Sequence, residues 1–538
     1  MKNTICLLWF CFCWMAGWAQ SVELIRIYTD KDCYLAGEKL WVKVCVDDKS
    51  FPGNDVSRVA YVEICDTAQI RAQAKIALEQ GMGWACVQLP STMHSGMYQL
   101  TAYTRYMRNL NSDCFPRKYV AVLNTLGVSE DDKLVVNDSV SFPKNVFKPL
   151  AERRLLEGDK TMYGFREKVS LKWDSRLAEA KELALSVVRK DCDVKMSQPE
   201  VAAPRPTNGE RWVAECEGHI VTGKLKGDNL LESASTQLSC MGKEINVFEG
   251  KKKGNGSYNF YTHGVNGRQD IVLSALDDEG QPCQMEIETP FVEQLPQHVP
   301  DLYCQYEESD MITRSVALQL TRAMPRTVFP KVLDEVVFGQ LPSVTYNLDE
   351  YVRFNVVKEC FIEFITGVTI DEERGRTIIK VLQESRTGYS LFPVLVLVDG
   401  VAFYDHSKVL GYNARNVHYI HQYRGCYTLG GNVYGGILSV VTHRGTMPDI
   451  RIDKNMQMLS YEFPQNRPAF EVPNYDNQVN KESRRPDFRH TMYWEPSVAG
   501  KTGTEFYTSD LEGVYVATLQ GVDADGKVIA VKWEFEVK

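Results

Sequence analysis

The sequence predicts a mainly β protein, made of tandem β-sandwich domains and one additional α+β domain. Short runs in which polar and apolar residues alternate recur through residues 20–125, and turn signals separate them at intervals of about ten residues. Between about residues 310 and 370 the apolar residues change to helical spacing. The chain has 538 residues, which exceeds what a single hydrophobic core accommodates, so several domains are expected.

The N-terminal segment 1–19 predicts a secretory signal peptide. Lys2 is followed by an unbroken apolar run from Ile5 and then by small residues, with cleavage expected after Ala19. Later in the chain no segment reaches the roughly 18 apolar residues that a membrane-spanning helix needs, because even the apolar run 392–403 is interrupted by an Asp-Gly pair. We therefore expect an exported chain without a transmembrane span.

The charge balance gives no indication of nucleic-acid binding. The chain carries 61 basic and 70 acidic side chains, a formal net charge of −9. This acidic surplus disfavours both nucleic acid and anionic membrane surfaces as partners. The basic run Lys251–Lys253 is flanked by glycine and asparagine, so it is interpreted as a solvated hairpin tip.

The segment 20–125 resembles a macroglobulin-type β-sandwich. An extended strand is followed by a Tyr-x-x-Gly-Glu turn and then by a long strand. The residues that match this turn are Tyr34, Gly37 and Glu38. A later Gly-x-Tyr hairpin leads into the final strand at Gly96 and Tyr98. The resemblance implies a macroglobulin- or immunoglobulin-like sandwich in which Tyr98 packs across the core and Gly96 supplies a turn with positive φ.

Two further β domains are predicted downstream. Residues 126–196 predict a linker and then a second small β domain, in which two runs within Tyr163–Asp191 form facing strands. Residues 197–215 are rich in proline and polar residues and predict another linker. The segment 216–295 resembles the carboxypeptidase-regulatory-like β-sandwich, which implies a rigid extension without peptidase chemistry. The residues that match its Gly-x-Tyr-x-Phe strand are Gly256, Tyr258 and Phe260.

The segment 346–446 resembles the plug domain of TonB-dependent outer-membrane transporters. An apolar strand ends in an Asp-Gly turn, a short helix and a second strand follow, and a glycine-rich final strand ends in Thr-x-x-Gly. The matching positions are Val394–Gly400, Ile420–Gly425, Gly431, Gly436, Ile437, Thr442 and Gly445. The residues beyond this segment are too few for the β-barrel that follows the plug in those transporters, so we expect the plug-like fold without the barrel. Its glycines are interpreted as turn and packing residues.

The remaining segments are predicted as connectors around a last β domain. Residues 296–345 form a connector with a short helix, and residues 447–485 form a linker. Residues 486–538 form a C-terminal β domain with a hairpin turn at Asp523–Gly526. A longer amphipathic helix is expected near the start of the plug-like segment. Its apolar face would consist of Leu348, Val352, Val356 and Phe361.

No catalytic, cofactor-binding or metal-binding residue is assigned, and the chain is expected not to be an enzyme. It has no Gly-x-Ser-x-Gly, no His-Glu-x-x-His and no phosphate-binding loop. His418 and His421 lie three residues apart, which on a strand places them on opposite faces, so they are interpreted as strand histidines and not as ligands. The Asp399-Gly400 pair is interpreted as a turn. Asp523 is as well, because a calcium loop would need a further oxygen ligand and a terminal glutamate.

The cysteines give no sign of a metal site. Three of the 15 cysteines lie in the predicted signal peptide, and the others are scattered singly from Cys33 to Cys426 without Cys-x-x-Cys or zinc-ligand spacing. Each is expected to be a small buried residue. Export permits disulfides, but the sequence leaves their connectivity open.

In the order and character of its segments, the chain resembles a group of exported Gram-negative proteins that combine macroglobulin-like, carboxypeptidase-regulatory-like and plug-like domains. The resemblance implies a location in the periplasm or at the outer membrane. We expect a non-catalytic binding or scaffolding function associated with TonB-linked transport or a surface assembly, with an envelope protein as partner. An exposed strand edge of the plug-like segment is one place where a partner could add a strand. The ligand is not assigned.

Two alternative functions are left open by the sequence. The first is a macroglobulin-like protease inhibitor that works without a thioester, because the Cys-x-Glu-Gln sequence of thioester-forming macroglobulins does not occur. The second, less favoured, is a glycan-active enzyme, because paired carboxylates on distant strands leave no local signature. An exposed Trp494 would supply a platform for a glycan.

Overall fold

The computed structural model describes most of the chain, and the structural findings concern those residues. The described ranges are 23–48, 57–127, 134–136, 155–180, 182–209, 211–226, 234–254, 256–277, 279–323, 341–373, 375–384, 388–452, 454–522 and 527–538. The predicted signal peptide and the predicted hairpin turn at Asp523–Gly526 lie outside them. Within them, no helix is long and apolar enough to cross a membrane.

Strands dominate the described chain. In its first half they are β1 (Glu23–Thr29), β2 (Cys33–Leu35), β3 (Lys39–Asp48), β4 (Val59–Cys65), β5 (Ile70–Ala77), β6 (Met82–Gln88), β7 (Gly96–Thr104), β8 (Arg117–Leu123), β9 (Leu134–Val136), β10 (Leu156–Gly158), β11 (Met162–Tyr163), β12 (Lys168–Trp173), β13 (Ala184–Arg189), β14 (Cys192–Val194), β15 (Ile220–Leu225), β16 (Ala234–Cys240), β17 (Asn246–Glu249) and β18 (Lys251–Gly254). In its second half they are β19 (Ser257–Tyr261), β20 (Arg268–Asp277), β21 (Met285–Ile287), β22 (Leu302–Tyr306), β23 (Val344–Asn347), β24 (Val368–Glu373), β25 (Arg376–Val381), β26 (Leu395–Val398), β27 (Val401–Ala402), β28 (Val417–Tyr423), β29 (Tyr427–Leu429), β30 (Asn432–Tyr434), β31 (Ile437–Thr442), β32 (Met456–Glu462), β33 (Thr491–Glu495), β34 (Gly503–Tyr507), β35 (Gly513–Val522) and β36 (Val528–Val537).

Helices are few, and the chain divides into two compact units. The helices are α1 (Glu308–Ala323), α2 (Val357–Glu363), α3 (Ser407–Leu410) and α4 (Gln478–Lys481). Unit 1 consists of the described residues of Met1–Cys216, Phe291–Thr327 and Gln465–Lys538, and unit 2 of those of Glu217–Pro290 and Val328–Pro464. Both units are built mainly from β-sheets, which confirms the predicted fold class.

Unit 1 begins with the predicted first sandwich. Its sheets have the strand orders β1-β3-β6 and β2-β8-β7-β4-β5, and their inward-facing residues form one apolar core. Tyr98 lies in this core with 2% of its surface exposed, as predicted. The prediction of a positive φ at Gly96 was wrong, because Gly96 pairs with Val122 in the extended ladder of β7 and β8. The turn between β2 and β3 instead uses Gly37, at φ 92°.

The strands predicted within Tyr163–Asp191 belong to a second sandwich, which the C-terminal residues complete. Its sheets have the orders β10-β12-β34 and β11-β36-β35-β13-β33. Strands β12 and β13 lie in different sheets and contribute Leu171 and Val187 to the shared core. Two strands alone cannot bury a core. The predicted second β domain and the predicted C-terminal β domain therefore fold as one sandwich.

The predicted connector 296–345 contributes a strand and a helix to unit 1. Strand β22 joins β14 and β9 in a small sheet, and α1 follows it. Cys304 of β22 and Met311 of α1 pack with Leu35 and Met97 of the first sandwich. Helix α1 spans 16 residues, which is longer than the short helix predicted for this segment.

Unit 2 contains the sandwich predicted for 216–295. Its sheets have the orders β18-β19-β15-β21 and β17-β16-β20-β32, and Tyr258 and Phe260 are buried in its core. The structure differs from the predicted linker 447–485 at β32, which pairs with β20 along its whole length. The late strand supplies Tyr461 to the same apolar core, which explains why it docks there.

The α+β domain of unit 2 follows the predicted order of elements. Its sheet has the strand order β23-β28-β31-β26-β27, and α2 and α3 pack on the sheet through a common apolar core. Strands β26 and β31 run parallel, whereas β28 runs antiparallel to β31. Strand β23 and the two-residue β27 form the edges of this sheet.

The longer amphipathic helix predicted from Leu348 to Phe361 was wrong. Leu348 lies in a short 3-10 turn, and Phe361 lies in α2, which has seven residues. Between them Val356 is extended at φ −128°, and Val352 is 79% exposed. The break has a local cause. The Glu359 carboxylate accepts a hydrogen bond from the backbone N–H of Asn355, which precedes α2, and this bond caps the start of a new helix.

Candidate ligand-binding cleft

A cleft in unit 1 has the outer face of the first sandwich as its floor. Strands β7 and β8 pair with Gln99 opposite Tyr119 and Thr101 opposite Arg117. Since alternate residues of a strand share a face, these four side chains project from the same side of the sheet. Gln99 Nε2 donates to Thr101 Oγ1 at 3.2 Å. The floor is therefore polar and carries one aromatic ring.

The first wall of the cleft is the segment 197–200, which lies in the predicted proline-rich linker. This linker is bound along the surface of the first sandwich. Ala202 N donates to Asp113 O at 3.0 Å, while Asn111 N donates to Arg205 O at 2.9 Å and Arg205 N donates to Asn111 Oδ1 at 2.7 Å. These bonds hold the chain in an extended form beside the loop that precedes β8.

The second wall is the segment 294–300, which is anchored by the residues just before it. Val292 N donates to Glu63 Oε1 at 3.0 Å and to the Tyr103 hydroxyl at 2.8 Å. Tyr103 donates in turn to Glu63. Burial and the Glu63 carboxylate raise the pKa of Tyr103 well above its ordinary value, so this phenol remains a donor over the physiological pH range.

The cleft has a volume of about 560 Å³ and a mixed charge. Its charged side chains are Asp113, Arg117 and Glu200, and His298 lies beside them. Arg117 donates to Asp113 at 3.4 Å, and Gln294 donates to the same carboxylate at 3.2 Å. The Nε of Arg117 is buried and has no hydrogen-bond partner among the described residues. An acceptor on a bound ligand would satisfy this donor.

The backbone of both walls is available for hydrogen bonding. Among the described residues, segments 197–200 and 295–300 make no backbone–backbone hydrogen bond. Three prolines in these walls favour an extended conformation, and the residues between them present N–H and C=O groups. An extended chain in the cleft would meet unpaired backbone on two sides and the ring of Tyr119 on the floor.

A second polar cluster of unit 1 is closed to ligands. Arg314 of α1 is 2% exposed and bonds to both Glu38 and Asp191. Burial alone would raise the pKa of these two carboxyl groups, but the charge of Arg314 together with their other cationic and hydrogen-bonding neighbours holds both pKa values below their ordinary range. This cluster connects three separate chain segments and has a structural role.

His418 and His421 contact different neighbours in unit 2. His421 is buried, and its Nδ1 lies 3.0 Å from Thr345 Oγ1. His418 is partly exposed, and its Nε2 lies 3.4 Å from Asp349 Oδ2. The two histidines predicted to lie on opposite faces therefore do not form a site with each other, and His418 belongs to a cluster that the sequence did not indicate.

The predicted Asp399-Gly400 turn joins β26 to β27. Asp399 is fully buried and accepts hydrogen bonds from Thr442 N at 2.7 Å, Thr442 Oγ1 at 2.6 Å and Met447 N at 2.7 Å. Gly445 N donates to the same Thr442 hydroxyl at 3.0 Å. The carboxylate thus couples the Asp-Gly turn to the Thr-x-x-Gly end of β31, which gives both motifs a structural explanation.

Two expectations about single residues differ from the structure. Trp494 is 3% exposed and packs against Trp41, so the expected glycan platform at this position was wrong. Strand β33 directs this ring into the apolar interior of unit 1. The expectation of buried cysteines holds for Cys45 but not for Cys216 and Cys426, which are exposed.

The sequence did not indicate the cleft, because its floor and walls come from three segments that are distant in the chain. The segment 197–200 lies in the predicted linker 197–215, and most of 294–300 lies in the predicted connector 296–345, whereas Gln294 and Leu295 fall at the end of the predicted sandwich 216–295. Two proline-containing polar stretches of similar character were the signal that could have been noticed. No local sequence feature, however, shows that these two stretches both lie against β8.

The fold and the cleft define a mainly β protein of several sandwiches with a polar surface cleft. No family model matches the chain, and no curated protein matches it. Among solved structures it is similar to the native form of alpha-2-macroglobulin from Escherichia coli, with 7% identity, 97% of this chain and 40% of that chain covered, and a TM-score of 0.24.

Two adhesin structures are also similar. For the adhesin FdeC of Escherichia coli the identity is 12%, the coverage is 50% of this chain and 62% of that chain, and the TM-score is 0.14. For the adhesin InvE of Yersinia pseudotuberculosis the identity is 9%, the coverage is 69% and 78%, and the TM-score is 0.13. The chain thus spans less than two thirds of the length of both FdeC and the macroglobulin.

Proposed function

We propose that this chain is a non-catalytic binding protein that works outside the cytoplasm and holds an extended segment of a partner protein in the cleft of unit 1. The observation that carries the proposal is the pair of walls, whose segments 197–200 and 295–300 make no backbone–backbone hydrogen bond within the part of the chain that the structure describes. A peptide laid between them gains backbone hydrogen bonds without any change in the protein.

The side chains of the cleft support a binding role. The buried Nε of Arg117 needs an acceptor, which a peptide carbonyl supplies. The acidic side chain in the cleft floor region, Asp113, already receives hydrogen bonds from Arg117 and Gln294. These two hydrogen bonds hold the Asp113 carboxylate in place beside Arg117 at the edge of the cleft.

The place of action follows from the predicted signal peptide and the resemblance of the domain order to exported Gram-negative proteins. On that basis the partner is an envelope protein or a surface assembly in the periplasm or at the outer membrane. The plug-like domain of unit 2 offers the short edge strand β23 as a second contact for the same assembly.

The proposal is tested with a phage-displayed library of random peptides, panned against the purified chain. Enriched peptides are then synthesised with a fluorescent label, and their affinity is measured by fluorescence anisotropy. We expect Tyr119→Ser and Arg117→Gln each to raise the Kd at least about tenfold, because they remove the floor ring and the unsatisfied donor.

Matched control variants separate the cleft from the general surface. Tyr389→Ser removes an exposed tyrosine of unit 2, and Arg176→Gln removes an exposed arginine of unit 1. Both should leave the Kd unchanged, and circular dichroism should show that all four variants are folded. The proposal is overturned if no peptide is enriched, or if the cleft variants bind the enriched peptides as tightly as the controls. It is equally overturned if a panel of soluble oligosaccharides, and no peptide, binds in a Tyr119-dependent way.

A further inference from the structure

A second cluster of chemistry-bearing residues lies in the α+β domain of unit 2. Asp349 is in the 3-10 turn after β23, His418 is near the start of β28, and His443 directly follows β31. One potential ligand atom from each residue lies within 4.8 Å of the other two. His418 Nε2 is 3.4 Å from Asp349 Oδ2, and His443 Nε2 is 3.7 Å from Asp349 Oδ1.

A β-bulge brings the two histidines together. Val417 pairs with Thr442, and Tyr419 pairs with Val441, so His418 is the extra residue between two regular pairs. A bulge redirects the side chain of its extra residue. His418 consequently lies beside His443, with the imidazole centroids 4.8 Å apart and the rings tilted by 20°. Without the bulge, strand alternation would separate the residues.

The third residue of the cluster is held by an arginine behind it. Arg353 donates to Asp349 Oδ1 and also to the backbone oxygens of Ala414, at 3.0 Å, and Val417, at 2.7 Å. The bond from Arg353 to Oδ1 fixes the carboxylate of Asp349 through that oxygen and leaves Oδ2 directed at His418. Hydrogen bonds behind a carboxylate ligand orient it in this way in metal sites.

We propose that Asp349, His418 and His443 bind one divalent transition-metal ion, with zinc as the principal ion. Two imidazoles and one carboxylate form a donor set that suits zinc, whereas calcium and magnesium need more oxygen ligands. The side chains of Asp349, His418 and His443 are 47%, 31% and 42% exposed, so an ion enters from solvent without any opening of the fold.

The measured separations fit this ion with little movement. Tetrahedral zinc with bonds of about 2.0 to 2.2 Å places neighbouring ligand atoms about 3.4 Å apart. His418 Nε2 is already at this distance from Asp349 Oδ2, whereas the 3.7 Å distance of His443 Nε2 is to the other oxygen, Oδ1, so His443 must turn towards Oδ2. The separation between the histidine nitrogens closes by rotation of the partly exposed rings. Three protein ligands leave the fourth position open to water or to a group from a partner.

The test is isothermal titration calorimetry of the full chain with zinc chloride, after treatment with a chelator and its removal. We expect one zinc ion per chain, bound through these residues. His418→Ala, His443→Ala and Asp349→Asn should each weaken binding at least about tenfold. Calcium and magnesium should give no heat of binding at this site.

Controls make the result specific to the cluster. His298→Ala removes an exposed histidine of unit 1 and should leave zinc affinity unchanged. In a second measurement, zinc should protect His418 and His443, but not His298, from modification by diethyl pyrocarbonate. This measurement uses the wild-type chain, so its result does not depend on how the variants fold. The inference is overturned if the chain binds no zinc at about 100 μM free ion, or if binding survives in both histidine variants.

Discussion

Arg314 and Glu38 form a bidentate ion pair in the interior of unit 1. Arg314 Nε donates to Oε1 and Nη2 donates to Oε2, both at 2.8 Å. The remaining Nη1 donates to Asp191 at 3.0 Å, and Nη2 also reaches the backbone oxygen of Cys33 at 2.9 Å. One guanidinium thus connects α1 with the first sandwich, through Glu38 and Cys33, and with the segment after β13, through Asp191.

We predict that Arg314→Leu destabilises unit 1 by about 3 to 5 kcal/mol, because it removes the guanidinium that two buried carboxylates share and leaves Lys31 as the cation beside Glu38. Urea unfolding followed by tryptophan fluorescence measures this change. The signal is specific, since unit 2 has no tryptophan in its sequence and every described tryptophan belongs to unit 1. Arg176→Leu, which removes an exposed arginine, is the control and should leave the midpoint unchanged. An equal effect of the two variants would contradict the prediction.

We predict that unit 1 loses stability as the pH falls from about 6.5 towards 4 because of His490. Burial and the positive charge of Arg314 lower the pKa of His490 from 6.5 to about 4. In this window the unfolded chain binds a proton that the folded chain does not, so stability decreases with decreasing pH. The groups that face His490 are Asp191, whose Oδ2 is 2.8 Å from its Nε2, and Lys31, whose Nζ is 3.5 Å from its Nδ1.

Urea midpoints from tryptophan fluorescence at pH 7, 6 and 5 provide the measurement. His490→Gln should flatten the dependence across this range, because glutamine keeps a donor for Asp191 and does not titrate. The comparison stops at pH 5 so that it reports on His490 alone. Glu38 and Asp191 have lowered pKa values, and the stability that they contribute to the folded state is lost only at lower pH. A wild-type midpoint that does not change between pH 7 and 5 would refute the role of His490.

We predict that Gly400→Ala destabilises unit 2 by about 3 kcal/mol or more. Gly400 has φ +78°, and a Cβ there would lie 2.7 Å from Cys240 O and 2.9 Å from Glu244 O, both backbone atoms. Gly445→Ala is the matched control, with φ +68° and open space around the Cβ position, and should cost only about 1 kcal/mol. Hydrogen exchange of the β26 peptide measures the loss of stability of unit 2 in each variant. A similar loss in both variants would contradict the prediction, because it would show that the close backbone approach at Gly400 adds nothing to the strain of a positive φ.

We predict that oxidation of the folded chain produces one disulfide through Cys192. Cys192 packs against an apolar cluster that contains the buried residues Cys33 and Cys304. The hydrogen bond with Cys192, together with burial, raises the pKa of Cys33 well above its ordinary value, so oxidation should be slow. Peptide mapping under non-reducing conditions should find Cys192 linked to one of the two. Cys192→Ser should abolish that link, and a link between Cys33 and Cys304 in the wild type would contradict the prediction.

Local patterns were sufficient to predict the fold class and several turns. Alternation identified the first sandwich, and the Asp399-Gly400 turn follows from residue types that tolerate a left-handed backbone. The joining of β13 to β33 and β35 was beyond such patterns, because strand pairing between distant segments depends on the whole core. Predicted linkers failed for a related reason. The predicted linker 197–215 is polar and rich in proline, but hydrogen bonds between its residues Ala202 and Arg205 and the first sandwich fix its position.

The zinc cluster shows a different limit of sequence reasoning. The face of a strand from which a side chain projects is predicted from the two-residue alternation of β-strands. The bulge at His418 shifts that alternation by one residue, so the histidine that lies near it in sequence, His421, is not its neighbour in space. A bulge depends on the register of the partner strand, and no residue type marks it here.

The position of β35 in its sheet has a consequence for biosynthesis. This strand lies between β36 and β13, and Thr491 of β33, a strand of the same sheet, bonds to Asp30 across 461 residues of chain. Unit 1 therefore cannot close until β35 and β36 have been made. During synthesis the earliest strands of unit 1 therefore wait for partners that are made hundreds of residues later, and we expect slow folding, since contacts of such long range form late.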